Sequence, residues 1–91
     1  MGAVADRIRL KLDEAFAPMR LDVQDDSAKH KGHSGAREGG ESHFSVRIVS
    51  ERFEGLTRVA RQRLINAALA EELAGPVHAL SLVVQSPTEA E

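Results

Sequence analysis

Apolar positions follow a helical period in two segments of the chain and a strict alternation in three others. Residues 3–16 carry an apolar side chain at every fourth position. These positions are Val4, Ile8, Leu12 and Phe16. The spacing puts all four on one face and predicts an amphipathic helix. Pro18 follows at the distance expected for a residue that stops a helix.

The alternating segments predict three short strands, each with one buried face. They span residues 20–25, 43–50 and 78–84. Their inward-facing residues are predicted to be Leu21 and Val23 in the first strand, Phe44, Val46 and Ile48 in the second, and Leu80, Leu82 and Val84 in the third.

A second helix is predicted between the last two strands. Thr57 is a favourable N-cap for the segment RVARQRLINAALAEEL, which covers residues 58–73. Gly75 and Pro76 are suited to end it. Residues 85–91 are expected to form a frayed tail.

The element order helix, strand, strand, helix, strand predicts an α+β fold. The first two strands can pair as an antiparallel hairpin, and a helical crossover makes the second and third strands parallel. A two-layer sandwich follows, in which both helices cover one face of a three-stranded mixed sheet. Leu64 and Leu82 are then expected to be buried between the sheet and the second helix.

Residues 26–42 interrupt this pattern with a long polar connection between the first two strands. The stretch DDSAKHKGHSGAREGGESHF, residues 25–44, contains four glycines and three of the four histidines of the chain. A connection of this length in a small domain is usually functional or disordered, so we expect a flexible loop. It enters the second strand at the sheet edge where His78 begins the third strand.

Composition limits the possible functions. The 91 residues suit one domain, residues 1–91, with an ordered core of about residues 3–84. The net charge of −2 does not favour non-specific nucleic-acid binding. The absence of cysteine excludes disulfides and thiolate ligands from this chain. Neither a signal peptide nor a long apolar run is apparent, so a cytoplasmic location and no membrane partner are expected.

The histidines allow two interpretations. Imidazole is the commonest protein metal ligand, and His30 and His33 lie three positions apart in a connection able to bend around an ion. The pattern His-x-x-His is also common in ordinary polar loops, and His78 could simply hydrogen bond at the sheet edge. His43 has the parity of the solvent-facing side of its strand and is interpreted as a surface residue.

Motifs for catalysis are absent from the sequence. It contains no nucleophile elbow and no glycine-rich phosphate loop, so neither an enzyme nor a small-molecule substrate is expected. Four arginines near the second helix could form a patch for DNA phosphates, or be ordinary solvated charges. They are Arg47, Arg58, Arg61 and Arg63, of which Arg58 and Arg61 share a helix face.

Two stretches closely resemble the BolA family: ESHF at residues 41–44, and VSERFEGLTRVARQRLINAALAEELAGPVHALSL at residues 49–82. The resemblance extends over nearly the whole chain. It implies a fold similar to the type II KH domain. The Gly-x-x-Gly loop of nucleic-acid-binding KH domains is replaced here by EGLT, which argues against KH-style RNA binding.

The resemblance implies partnership with a monothiol glutaredoxin and a shared 2Fe-2S cluster, with none bound by the isolated chain. The matching ligands are His78, in VHAL, and His30, in SAKH, with His33 as the alternative to His30. The glutaredoxin would give a cysteine and glutathione would complete the set. The family's other activity is DNA-binding regulation of transcription in stress response and cell morphology, for which the resemblance points to the second helix with its arginines and to the glycine-bearing turn before it.

Overall fold

The computed structural model describes residues 2–26 and 42–90. The elements are α1 (Ala3–Phe16), β1 (Arg20–Asp25), β2 (His43–Val49), a 3-10 turn (Glu51–Phe53), α2 (Arg58–Ala68), α3 (Ala70–Ala74), β3 (Ala79–Gln85) and α4 (Pro87–Ala90). The predicted α+β fold is therefore confirmed. Residues 27–41, which hold most of the connection predicted to be flexible, lie outside the described residues.

The three strands form one mixed sheet in the order β1-β2-β3. β1 and β2 are antiparallel, and their pairing runs from Arg20↔Val49 to Asp25↔Phe44. β2 and β3 are parallel, and their pairing begins at His43↔Ala79. Both the hairpin and the crossover predicted from the element order are confirmed.

The core lies between one face of the sheet and the helices. All four apolar positions predicted for the first helix are buried in it: Val4, Ile8, Leu12 and Phe16. The inward residues of β2 are also buried, while those of β1 and β3 are partly buried against the same cluster. The opposite face of the sheet carries exposed or half-exposed polar side chains, such as Ser45 and Arg47.

Leu64 is not buried as predicted, since 42% of its surface remains exposed. The buried stripe of α2 and the following turn runs instead through Arg61, Ile65 and Leu69, which are four positions apart. A charged residue occupies the first of these positions, so the apolar pattern alone misplaced the stripe. Leu82 is partly buried against the core, as expected for an inward residue of the outer strand.

The predicted second helix is divided in two. Leu69, with φ −106° and ψ 22°, separates α2 from α3, although its N–H still donates to Ile65 O at 3.0 Å. Because the N–H of Leu69 still bonds a carbonyl of α2, the interruption between α2 and α3 is confined to this one residue.

The predicted frayed tail, residues 85–91, is wrong for the residues that the structure describes there. Gln85 belongs to β3, Ser86 is buried, and Pro87–Ala90 form a helical turn. A carboxylate oxygen of Glu89 accepts a hydrogen bond from the backbone N–H of Ser86 at 2.8 Å. The turn is thereby held against the end of the sheet.

One turn requires glycine. Gly55 has φ +76°, a left-handed conformation that side chains disfavour, and it follows the 3-10 turn before α2.

No helix within residues 2–26 and 42–90 is long and apolar enough to span a bilayer.

Candidate functional site

The candidate site lies where β2 and β3 begin, at the edge that receives the long connection from β1. His78 immediately precedes β3 and its side chain is exposed. Its backbone N–H donates to Ser42 O at 2.7 Å, and the N–H of Ala79 donates to the same oxygen at 3.2 Å. These bonds fix the backbone of His78 at the sheet edge, so its imidazole projects from a defined position.

His43 faces His78 across the start of the parallel strand pair. The two ring centres are 6.0 Å apart and the ring planes are inclined by 48°. His43 is half-buried, and its interpretation as a surface residue did not include this neighbour. The parallel register pairs His43 with Ala79 and hence places it beside His78. The pair depends on this register, which the pattern of neither strand reveals by itself.

Ser42 contacts both histidines. Its side chain is completely buried, and its Oγ lies 2.9 Å from Nδ1 of His43. Its carbonyl oxygen is the acceptor that holds the backbone of His78. One buried residue therefore contacts the ring of His43 through its side chain and holds the backbone of His78 through its carbonyl.

The end of β1 is hydrogen bonded to β2 beside the site. The backbone N–H of Asp26 donates to His43 O at 2.7 Å. The Asp26 carboxylate also accepts a hydrogen bond from Ser45 Oγ. These contacts hold the end of β1 to β2 at the point where the connection departs.

Imidazole nitrogens are suited to zinc, copper, iron and nickel. Within residues 2–26 and 42–90, no group of three or more histidine, aspartate or glutamate side chains is arranged to hold a metal ion. The predicted ligands His30 and His33 lie outside the described residues, so their assignment stays a prediction.

Arg61 is not available for the predicted contact with DNA phosphate. It is 9% exposed. Its Nε donates to Leu56 O at 3.0 Å, and its Nη1 donates to Val84 O at 3.2 Å and to the Glu89 carboxylate. The guanidinium group is satisfied inside the fold. The hydrogen bond from Arg61 has the largest effect on Glu89, and the hydrogen bond from the backbone N–H of Ser86 has the next largest. Together they lower the pKa of Glu89 to about 2.

The other three predicted DNA-binding arginines are exposed but do not form one surface. Arg58 and Arg63 are five positions apart on α2, and at 3.6 residues per turn they point roughly 140° apart. Arg47 lies on the face of the sheet away from the helices, where its Nη2 is 3.4 Å from Gln85 Oε1. Any basic patch would therefore use α2 or the sheet face, rather than both.

A second charged cluster joins α1 to α3. Lys11 Nζ lies 2.8 Å from Oε2 of Glu72 and 3.0 Å from Oε1 of Glu71. The Glu72 side chain is only 1% exposed. Burial opposes its charge, but hydrogen bonds from Lys11 and from the backbone outweigh this effect and lower the pKa of Glu72. The cluster is a structural link between α1 and α3 and lies on different elements from the histidine pair.

Comparison with known proteins places the chain in a family. Residues 12–89 match the sequence profile described as BolA-like protein. The chain is 47% identical to BolA-like protein 1 of Pongo abelii over 89 residues, which cover 98% of this chain and 62% of that protein. It is 47% identical over 79 residues to the DNA-binding transcriptional regulator BolA of Vibrio cholerae, covering 87% of this chain and 71% of that protein.

A solved structure agrees with the fold described above. The BolA domain of SufE1 from Arabidopsis thaliana superposes with a TM-score of 0.87 at 44% identity, covering 98% of each chain. The present chain spans about 62% of the length of the mammalian relatives that it matches. The agreement of sequence profile, relatives and structure shows that the chain belongs to the BolA-like family.

Proposed function

We propose that the chain is a non-enzymatic adaptor that binds a monothiol glutaredoxin and shares a 2Fe-2S cluster with it, in iron or redox regulation. The observation that carries this proposal is the exposed imidazole of His78, held at the sheet edge by the backbone hydrogen bond to Ser42 O. A ligand fixed by the fold and open to solvent is accessible to a centre held mainly by another protein.

The proposed ligands from this chain are His78 and one histidine of the connection, His30 or its alternative His33. A glutaredoxin cysteine and glutathione would supply the thiolates that this cysteine-free chain lacks. Two imidazoles on one iron raise the reduction potential of a 2Fe-2S centre relative to all-thiolate ligation. The adaptor would thus tune the cluster as well as hold it.

Reconstitution tests the proposal directly. The purified chain is mixed with a monothiol glutaredoxin, glutathione, iron and sulfide, and visible absorption and circular dichroism are recorded. We expect cluster bands that differ from those of glutaredoxin alone, together with a heterodimer by size-exclusion chromatography. His78→Ala should abolish or change these bands. Asn66→Ala, at an exposed position of α2, is the control and should leave them unchanged.

A cluster spectrum equal to that of glutaredoxin alone, with no heterodimer formed, would reject the proposal. Retention of the wild-type spectrum by folded His78→Ala would reject the ligand assignment while leaving the partnership intact.

DNA-binding transcriptional regulation, including stress response and cell morphology, is the second candidate. The Vibrio cholerae relative named as a DNA-binding regulator supports it, as do the exposed side chains of Arg58 and Arg63 on α2. Arg47, on the face of the sheet away from the helices, is not part of this α2 contact. Arg61 is withdrawn from the proposed contact because it is buried.

The cytoplasmic location expected from the sequence stays a prediction.

Salt dependence of binding tests the DNA proposal. If Arg58 and Arg63 each neutralise one phosphate, the double variant Arg58→Ala/Arg63→Ala should lower the slope of log K against log salt by about two. Arg47→Ala, on the other side of the molecule, should leave that slope unchanged. Equal slopes for the wild type and the α2 double variant would remove α2 from the DNA site.

A further inference from the structure

The imidazoles of His43 and His78 lie next to each other where β2 and β3 begin. We propose that His43 and His78 bind a single divalent transition-metal ion, such as Zn²⁺ or Co²⁺, in the isolated chain. This site uses only residues that the fold holds in place, and it does not depend on glutaredoxin or on the histidines of the connection.

The distance between the rings suits a shared ion. Their centres are 6.0 Å apart, and a metal bound between two imidazoles lies about 2.0–2.1 Å from each ligating nitrogen. Rotation of the side chains alone can bring one nitrogen of each ring to such an ion. Because the two backbones are adjacent in the parallel pair, binding requires no rearrangement of the sheet.

Ser42 is the positioning residue of this site. Metal ligation through Nε2 of His43 selects the tautomer whose Nδ1–H donates to Ser42 Oγ, 2.9 Å away. A hydrogen bond of this type to the second ring nitrogen orients metal-bound histidines in general. Since the carbonyl of Ser42 also accepts from the N–H of His78, the same residue supports both ligands.

The site is open. Two histidines leave coordination positions of a tetrahedral ion to water or to an external ligand. The ion would also occupy His78, which the proposed function assigns to the shared cluster. On that assumption, the metal ion and the cluster compete for one imidazole, and a loaded chain cannot supply His78 to its partner.

Co²⁺ alone is the probe for the test, and the chain carries no added histidine tag. The parent is His30→Ala/His33→Ala, in which His43 and His78 are the only imidazoles left. Titration at a pH where imidazole is neutral is followed by two-dimensional NMR. We expect one Co²⁺ per chain, with paramagnetic effects centred on the starts of β2 and β3. Zn²⁺ should displace the Co²⁺.

Variants in the same parent separate the roles of the three residues. His43→Gln and His78→Gln should each abolish the localised paramagnetic effect. Ser42→Ala should weaken Co²⁺ binding by about 10-fold or more, the usual range for loss of an orienting hydrogen bond. Arg47→Ala, further along β2, is the control and should bind Co²⁺ as the parent does. Amide spectra without metal verify the fold of each variant.

Paramagnetic effects that persist unchanged in His43→Gln, or that centre away from both strand starts, would overturn the proposal. Failure of Co²⁺ binding would overturn the proposal but leave the glutaredoxin experiment unaffected, since that experiment is performed with both loop histidines present. Conversely, a chain that binds Co²⁺ at this pair but forms no cluster would reject only the proposed function.

Discussion

Arg61 Nη1 on α2 donates a hydrogen bond to the backbone carbonyl of Val84 on β3, 3.2 Å away. The same guanidinium group holds Leu56 O, before α2, and the Glu89 carboxylate, after β3. β3 is an edge strand, so Arg61 satisfies a carbonyl that would otherwise lie at an open edge. A residue that the sequence suggested for DNA is thus a link between three segments of the fold.

Arg61→Ala should therefore destabilise the protein. Hydrogen bonds that involve a charged group contribute about 1.5–3 kcal/mol each, so we expect a loss of at least about 1.5 kcal/mol in the free energy of unfolding. Arg63→Ala, at an exposed position two residues away, should change it by less than about 0.5 kcal/mol. Urea denaturation measures both. Equal stability of the two variants would contradict the structural role of Arg61.

The Arg61–Glu89 pair should make stability depend on pH. The pKa of Glu89 is lowered from 4.5 to about 2, so the folded state favours the charged carboxylate. Its contribution is present in full above pH 4.5 and is lost as the pH falls towards about 2. Glu89→Gln should accordingly destabilise at pH 7, and its difference from the wild type should shrink on acidification.

Unfolding free energies of Glu89→Gln and of Glu54→Gln, measured between pH 7 and about pH 2, check this dependence. Glu54 is exposed and serves as the control, whose difference from the wild type should stay nearly constant. A Glu89→Gln difference that does not vary with pH would show that the ion pair does not contribute.

The ionisation of the buried Glu72 carboxyl group should depend on the positive charge of Lys11. Lys11→Met removes the hydrogen bonds that offset the burial of Glu72, so it should destabilise the protein at neutral pH. The pKa of Glu72 should then rise. In the wild type, the lowered pKa of Glu72 contributes stability that is lost as the pH falls below 4.5. Lys11→Met lacks that contribution and should therefore lose less stability than the wild type over the same pH range.

Lys11→Arg, which keeps the positive charge, is the matched control and should retain most of the neutral-pH stability. Thermal unfolding at several pH values distinguishes the two variants. Identical behaviour of the Met and Arg variants would mean that Glu72 is stabilised by other contacts, of which Arg7 Nε at 3.9 Å is the nearest candidate.

Two leucines that were expected to be equivalent should behave differently. Leu82 packs against the core, and Leu82→Ala should cost about 2 kcal/mol, the lower end for buried leucines. Leu64 is 42% exposed, and Leu64→Ala should cost less than about 1 kcal/mol. Chemical denaturation of both variants gives the comparison. A larger loss at Leu64 would mean that the buried stripe of α2 is misassigned.

Substitutions of the proposed cluster ligands should affect the cluster spectrum to different extents. His78→Ala should remove the cluster spectrum or change it outright, because this position is set by the fold. His30→Ala should have a milder effect, since His33 is three residues away in the same connection and can replace it. Only His30→Ala/His33→Ala should match the loss at His78. Visible circular dichroism of each glutaredoxin complex tests this order, and a severe effect of His30→Ala alone would assign the loop ligand uniquely.

The elements that could be predicted are those fixed by local pattern. Apolar period, the Thr57 cap and the crossover rule predicted the helices, the strands and their pairing. Arg61 and Glu72 could not be predicted as buried, because the groups that offset their charge come from distant segments. The helical turn after β3 was missed for the same reason, since its contacts are with α2.

The candidate site shows a similar division. The alternating pattern placed His78 at the start of the third strand; in the structure that strand begins one residue later, at Ala79, and His78 immediately precedes it. The parity of His43 within its strand was also predicted, but parity says nothing about the neighbour on the adjacent strand. That neighbour depends on the register of β2 against β3, a tertiary property that a single strand does not encode.

The backbone pairing of β1 with β2 continues to the last residues before the connection departs, where Asp26 N–H donates to His43 O. For flexible loops in general, the entropy of closure grows only with the logarithm of length, so that doubling the length costs about 0.6 kcal/mol. The sheet register is therefore almost independent of how many residues lie between 26 and 42. Insertions and deletions there should therefore be nearly neutral for folding, so the length of the connection can change in evolution without disturbing the pairing of β1 with β2.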